Sequence, residues 1–322
     1  MGNMKLTEKC QICNGDLFSS LTVKEQMYGL EDSFSYSECK ACGCLSLVNR
    51  PIHMDKYYPG DYYSLNAEVE HKSSFKETRR NLKRRFVLTH PRRLTPAVST
   101  WLKTYNIYWI YRSIGVTLDT RILDVGAGSG THVKELRQIG VMNCLGVEPF
   151  INQDIFFKND PAVIKGTIEN ITGTWDLITF HHSLEHIADQ RTTLSKAAQL
   201  LADQGQVLIR IPTVTSYAYE KYKEHWFNLD APRHLYLHSH KSIRLLIESA
   251  GLRVTKLWCD SDENGLLYSE QYRLGIPLFS KLSFLNNRKL FPKNSIREFR
   301  KKAITQNAML QGDSICVVCE RA

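Results

Sequence analysis

One short turn constrains the fold of this chain more than any other feature: Asp124-Val125-Gly126-Ala127-Gly128-Ser129-Gly130. It follows the apolar run Arg121-Ile122-Leu123 and leads into a helical pattern from His132 to Ile139. Strand, glycine turn and helix in that order make a cradle for a nucleotide cofactor. The glycines let the backbone approach the ligand, and the helix N-terminus adds polarised N–H groups. The spacing is G-x-G-x-G, whereas the dinucleotide fingerprint G-x-G-x-x-G places its third glycine one residue later. An acid, Asp124, also stands directly before the turn.

Seven segments read as strands: Arg121–Val125, Cys144–Val147, Ala162–Lys165, Trp175–His181, Gln206–Ile211, Leu252–Cys259 and Ser314–Cys319. Helical patterns fall between them at Thr131–Ile139, Ile151–Lys158, Arg191–Leu201 and Lys241–Ala250, with Gly251 where a C-cap glycine belongs. This alternation predicts an α/β fold with a doubly wound parallel sheet. Ligands of such sheets bind at the carboxyl ends of the strands. Three zones are expected: a cysteine- and turn-rich module over 1–60, a basic helical segment over 61–115, and the α/β domain over 116–322 with a helical insertion at 265–311. The segment Tyr57-Tyr58-Pro59-Gly60-Asp61-Tyr62-Tyr63 reads as the hinge after the first module.

With 43% hydrophobic residues, the 322-residue chain has a globular rather than a disordered composition. No apolar run approaches the roughly 20 residues needed to span a bilayer. Met1 to Lys9 lacks a signal-peptide core, so a cytoplasmic location is expected. There the nine cysteines should be reduced, and clustered ones point to metal. The net charge of +9 is uneven. Lys76–Arg93 and Lys281–Lys302 each hold eight Lys/Arg and one Glu, so the rest of the chain is net −5. Those stretches are either solvated helix faces or a surface for an anionic partner: a sugar nucleotide, a phospholipid surface or nucleic acid.

Glu148 ends the second strand, eighteen residues after Gly130, where a carboxylate can accept hydrogen bonds from both ribose hydroxyls. The turn at 124–130 resembles motif I of the class I S-adenosylmethionine-dependent methyltransferases, and the Glu148 segment resembles their motif II. The resemblance implies a seven-stranded, Rossmann-like methyltransferase sheet with S-adenosylmethionine as cofactor. In that reading Gly126, Ala127, Gly128 and Gly130 cradle the methionine end, Asp124 orients it, and Glu148 holds the ribose. Thr167, in the segment after the third strand, borders the adenine, and His181 also belongs to the cofactor site.

The fourth strand runs into His181-His182-Ser183-Leu184-Glu185-His186, and the fifth is followed by Leu229-Asp230-Ala231-Pro232-Arg233-His234-Leu235. Asp176-Leu177-Ile178 with Leu184-Glu185-His186 resembles the branch that includes ubiquinone-pathway O-methyltransferases and many sugar and antibiotic methyltransferases. Methyl transfer to oxygen needs alignment with the sulfonium and removal of a proton, and histidine suits the base role. His182, Glu185, His186 and His234 are therefore the candidate catalytic residues. Three roles remain open for them: a metal-free base, a second divalent metal site, or a structural brace for the loop. The metal reading rests on H-x-x-E-H plus His234, similar to the E-x-x-E-H…H magnesium site of small-RNA 2′-O-methyltransferases. His182 in place of a carboxylate would shift preference from magnesium toward zinc, manganese or iron. Arg233 could bind an anionic substrate group or pair with Asp230. Tyr217, Tyr219, Tyr222 and Trp226 read as packing or as the wall of an acceptor pocket.

Cys10-Gln11-Ile12-Cys13 and Cys39-Lys40-Ala41-Cys42 are two C-x-x-C knuckles, and Gly43 permits the tight turn after the second. Cys10, Cys13, Cys39 and Cys42 are the expected ligands of a structural zinc in a small N-terminal ribbon, with Cys44 a spare. Cys316 and Cys319, in a late strand, read as core. A zinc ribbon before a methyltransferase domain resembles several bacterial deoxysugar and surface-polysaccharide methyltransferases. The implied acceptor is a small or carrier-linked sugar. An RNA methyltransferase and a non-catalytic zinc-ribbon adaptor are the alternatives.

Overall fold

The computed structural model describes residues 9–59, 75–89 and 106–322. The second half of the expected hinge, most of the expected basic segment, Trp101, Tyr105 and the end of the Lys76–Arg93 stretch lie outside the described residues.

Along the chain come β1 (Leu17–Lys24), β2 (Ser33–Cys39) and β3 (Leu45–Leu47), then α1 (Phe75–Thr89) and α2 (Asn106–Ser113). The alternating part follows with β4 (Ile122–Val125), α3 (Thr131–Gln138), β5 (Cys144–Glu148), β6 (Ile155–Phe157), β7 (Asp160–Lys165), β8 (Trp175–His181), α4 (Gln190–Leu200) and β9 (Leu201–Pro212). The last part holds α5 (Tyr217–Tyr222), β10 (Tyr236–Leu237), α6 (His240–Ser249), β11 (Leu252–Cys259), α7 (Asn264–Arg273), α8 (Lys293–Ala308) and β12 (Ser314–Arg321). This is a mixed α/β fold with a mostly parallel central sheet and flanking helices, and all seven expected strands are present.

Two compact units divide the chain. The glycine-turn unit comprises Gly60–His181 and Gln199–Val207. Its strand order is β9-β8-β4-β5-β7-β6, with β4 parallel to both β5 and β8, and β5 parallel to β7. All four residues of β4 are buried, as a strand covered on both faces requires. Val133 and Leu136 of α3 are fully buried with Ile122, Leu123, Val163 and Ile178 from the strands.

One expectation fails in this unit. Ile151–Lys158, read as helix, instead contains β6, which pairs antiparallel with β7. Lys158 and Asn159 both take left-handed φ values, 51° and 69°, which favours a two-residue hairpin turn. Pro161 then holds Asp160 extended, away from helix. The apolar residues that looked helical by spacing belong to an added eighth strand.

The cysteine unit comprises Met1–Pro59, His182–Ala198 and Leu208–Ala322. It carries the order β11-β12-β9, with β11 and β12 antiparallel, and a separate four-stranded sheet β1-β2-β3-β10. In that sheet β10, from far along the chain, pairs with β3. Within this unit one core packs the first three strands against the segment around β10: Val23, Phe34, Tyr36 and Leu45 lie with Trp226, Leu229 and Leu237. Tyr222 and Trp226 belong to this core and Tyr217 and Tyr219 pack against it, so these four aromatics are packing residues. Cys316 and Cys319 are fully buried in β12.

Candidate active site

In the glycine-turn unit the turn closes on the carboxyl ends of β4 and β5. Gly126, Gly128 and Gly130 all take left-handed φ, at 78°, 54° and 74°, a region where a side chain is strained. Space is also short: a Cβ on Gly130 would meet Val163 Cγ2 at 2.5 Å. Ala127 donates its N–H to the Val147 carbonyl at 3.2 Å. A Cβ on Gly146 would come within 2.5 Å of the Ala127 methyl, so Gly146 is what lets the turn lie against β5.

One of the two expected acids braces this turn, and the other bonds to the neighbouring strand β8. Glu148 Oε2 accepts the Gly128 N–H at 3.0 Å, and its Oε1 accepts the Phe150 N–H at 3.1 Å. Asp124 is buried and accepts the Thr179 hydroxyl at 2.7 Å. Burial pushes the Asp124 carboxyl up to about 6, against the Thr179 hydrogen bond and helped by the nearby Glu148 charge. Thr167 caps the short 3-10 turn 168–170, its N–H donating to Asn170 Oδ1 at 2.9 Å. His181 ends β8, and the Tyr111 hydroxyl lies 2.9 Å from its Nε2 and 2.7 Å from His132 Nε2. Tyr111, His132 and Thr179 are neighbours that the sequence did not mark, because nothing in their local pattern separates them from packing residues.

A cavity of about 320 Å³ lies elsewhere in the same unit, lined by Arg121, Asn143, Cys144 and Trp175 at the amino ends of the strands. Cofactors of such sheets sit at the other end.

In the cysteine unit the four acceptor-side candidates converge. His182 follows β8 with a left-handed φ of 52° and donates its N–H to the Arg210 carbonyl at 2.8 Å. A 3-10 turn, Leu184–His186, then carries Glu185 inward. His182 Nδ1 lies 3.7 Å and His234 Nε2 3.9 Å from Glu185 Oε1. The His186 and His234 rings meet edge to face at 4.7 Å. Glu185 is 1% exposed, and neither carboxylate oxygen has a hydrogen-bond partner among the described residues. Burial raises its pKa, but His182, His186 and His234 outweigh that and hold it below the usual value. Burial, and then His186, push His234 down to about 4. An orphaned buried carboxylate beside imidazole nitrogens fits a divalent cation: ligand-type atoms of Glu185, His186 and His234 lie within 4.8 Å of one another.

Arg233 does not offer its charge to a ligand. It is 1% exposed and bound by Asp230 and Glu25, each at 2.7 Å. Its role is pairing, which the sequence left open.

The four expected cysteines also come together. Cys10 and Cys42 Sγ are 3.7 Å apart, Cys13 and Cys39 Sγ are 3.4 Å apart, and all four lie within 4.8 Å. Zinc–sulfur bonds of about 2.3 Å in a tetrahedron put sulfurs about 3.8 Å apart, so the cluster fits the ion. Gly15 allows this approach: a Cβ there would meet Ala41 Cβ at 2.7 Å and Cys39 Sγ at 3.2 Å. The hydrogen bond from Cys42 lowers the Cys10 thiol below its usual value, which favours the thiolate form that a metal binds. Cys44 stands outside the four, 4.0 Å from His238 Nδ1.

A mostly parallel sheet with three glycines after one strand and an acid ending the next is the arrangement of a nucleotide-cofactor domain. Residues 74–257 match the methyltransferase domain family, and the chain belongs to it. No curated protein gives a match to this chain. Among solved structures it is similar to a mycolic acid cyclopropane synthase complexed with SAH, at 16% identity and TM-score 0.45, over 68% of this chain and 85% of that one. It is also similar to a SAM-dependent methyltransferase from Archaeoglobus fulgidus, at 18% identity and TM-score 0.42, over 70% and 93%. A third likeness is magnesium protoporphyrin IX methyltransferase from Synechocystis with bound SAH, at 12% identity and TM-score 0.42, over 76% and 94%.

Proposed function

We propose that the protein moves the methyl group of S-adenosylmethionine to an oxygen of a sugar or another small or carrier-linked acceptor. Gly126, Gly128 and Gly130 hold the methionine end of the cofactor, Asp124 orients it, and Glu148 takes the ribose hydroxyls. Thr167 and His181 border the rest of the cofactor. The cofactor supplies an electrophilic methyl on sulfur. The chain's own task is to align the acceptor oxygen and accept its proton. That task falls to the group beginning one residue past β8: His182 or His186 takes the proton, Glu185 stabilises the charged imidazole, and His234 closes the site. The observation that carries this reading is the convergence of three histidines on buried Glu185, whose oxygens have no hydrogen-bond partner among the described residues.

The same observation favours a second reading, in which Glu185, His186 and His234, with His182, hold a divalent cation that lowers the pKa of the acceptor hydroxyl. Their donor set suits zinc, manganese or iron better than magnesium. Cys10, Cys13, Cys39 and Cys42 hold a separate zinc, which four thiolates would leave with no open position and hence structural.

A methyl-transfer screen with sugar nucleotides and with RNA tests the assignment, run with and without brief chelation. Transfer to sugar nucleotides that survives chelation supports the metal-free base. Loss restored by manganese or iron supports the metal. Transfer to RNA alone, with steeply salt-dependent binding, replaces the sugar reading. No S-adenosylmethionine binding at millimolar ligand would leave the adaptor.

A further inference from the structure

We propose that Glu25 and Asp313 are positioning residues that set the ring orientation and tautomer of His186 and His234; this rests on the acceptor-side reading above. His186 Nδ1 lies 2.9 Å from the Arg233 carbonyl, and His234 Nδ1 lies 2.7 Å from the Asn228 carbonyl. A carbonyl can only accept. The Tyr58 hydroxyl also lies 3.4 Å from His186 Nδ1, a longer contact than the carbonyl's. The carbonyls therefore assign the proton to Nδ1 in both rings, which leaves the lone pair on Nε2.

Each carbonyl belongs to a residue fixed by a buried acid from a distant part of the chain. Arg233 Nη2 donates to Glu25 Oε1 at 2.7 Å, and Arg233 Nη1 to the Tyr57 carbonyl at 3.2 Å. Glu25 is itself locked, accepting the backbone N–H groups of Met27, Tyr28 and Leu30 at 3.0–3.2 Å. Asn228 Nδ2 donates to Asp313 Oδ2 at 3.1 Å, and Trp226 Nε1 points to the same oxygen at 3.4 Å. Glu25 is 2% and Asp313 6% exposed, so neither has water as a substitute partner. A further bond ties the same segment to the cysteine-rich region: the Tyr36 hydroxyl donates to the His234 carbonyl at 2.7 Å. The cysteine-rich region thus orients the proposed reacting histidines in addition to holding its own four thiols.

The test uses the full chain with selectively ¹⁵N-labelled histidine, alongside Glu25→Gln, Asp313→Asn, His186→Ala and His234→Ala. In the parent, imidazole spectra should show the Nδ1–H tautomer for both rings. Glu25→Gln should mix the tautomers at His186, and Asp313→Asn at His234. In each, kcat should fall about 10–100-fold, with S-adenosylmethionine affinity unchanged. The Nε2–H tautomer at either ring of the parent overturns the proposal, whether or not the variants fold. So does parental kcat with parental spectra in both Glu25→Gln and Asp313→Asn. Full activity of His186→Ala and His234→Ala instead removes the acceptor-side reading itself.

Discussion

Glu148 and Gly128 are joined by a hydrogen bond of 3.0 Å across twenty positions of chain, from the end of β5 to the middle of the glycine turn. The acid thereby braces the same turn that is proposed to receive the cofactor. Glu148 Oε2 accepts the Gly128 N–H and Oε1 the Phe150 N–H, so the carboxylate is fixed in orientation at the turn where the ribose hydroxyls are proposed to bind.

Glu148→Ala should therefore weaken S-adenosylmethionine binding at least tenfold, since hydrogen bonds to a charged group contribute about 1.5–3 kcal/mol each. Isothermal titration measures this directly. An unchanged dissociation constant would remove the ribose assignment.

Gly130→Ala should destabilise the glycine-turn unit. The left-handed φ costs about 1–2 kcal/mol, and the new methyl would press on Val163. Urea unfolding should show a lower midpoint and titration a weaker cofactor. A parental midpoint would mean that the turn relaxes where its geometry says it cannot.

Asp124 makes stability depend on pH in a defined direction. In the fold it is pushed up to about 6, above its ordinary value of 3.8, so the folded chain holds this proton more tightly than the unfolded one. Its contribution is full below about 3.8 and is lost as pH rises through about 6. Asp124→Asn cannot ionise and keeps an acceptor for Thr179. Its stability should gain on the parent between those pH values, by about 3 kcal/mol at neutral pH, while cofactor binding weakens. Urea titrations of both proteins across that range check it, and a pH-independent difference would exclude this origin.

Cys39→Ser should cut bound zinc from one equivalent per chain to a small fraction, measured by metal analysis after dialysis. It should also lower the thermal midpoint, because the ion's binding energy is part of the folding energy of such modules. Full zinc content in the variant would mean that another group, Cys44 first, completes the site.

Glu185→Gln should lower kcat about 10²–10⁴-fold, the range for a disabled acid–base site, without changing S-adenosylmethionine affinity. A variant with parental kcat would reduce the cluster to a structural brace.

What the sequence made legible was local. Strands β4, β5, β7 and β8 were read from apolar runs because parallel strands bury both faces. The glycine turn, Glu148 and the two knuckles were read because each is a spacing with one physical purpose. The segment 151–158 was misread, because its apolar spacing suits a helix until the left-handed Lys158-Asn159 pair is known. The group Glu185, His186 and His234 was found as a list of residue types, but not its supports. Glu25 stands 208 positions from Arg233, and Asp313 stands 85 from Asn228. Nothing in either neighbourhood marks a partner at that range. Thr179 and Tyr111 escaped for the same reason.

The pairing of β3 with β10 also sets an order of events during synthesis. The first strands emerge from the ribosome long before Tyr236 and Leu237 exist, and Arg233 arrives 208 residues after Glu25. At about 5–20 residues per second the wait is roughly 10–40 s. Through that interval β3 has an open edge, and Glu25 lacks its counter-ion. The two knuckles are complete by Cys42, so a metal captured there can hold the early strands until their partner is made. Ribosome-stalled chains ending before β10 should resist protease with zinc and be cut without it; equal cutting in both would leave the early strands unprotected by the ion.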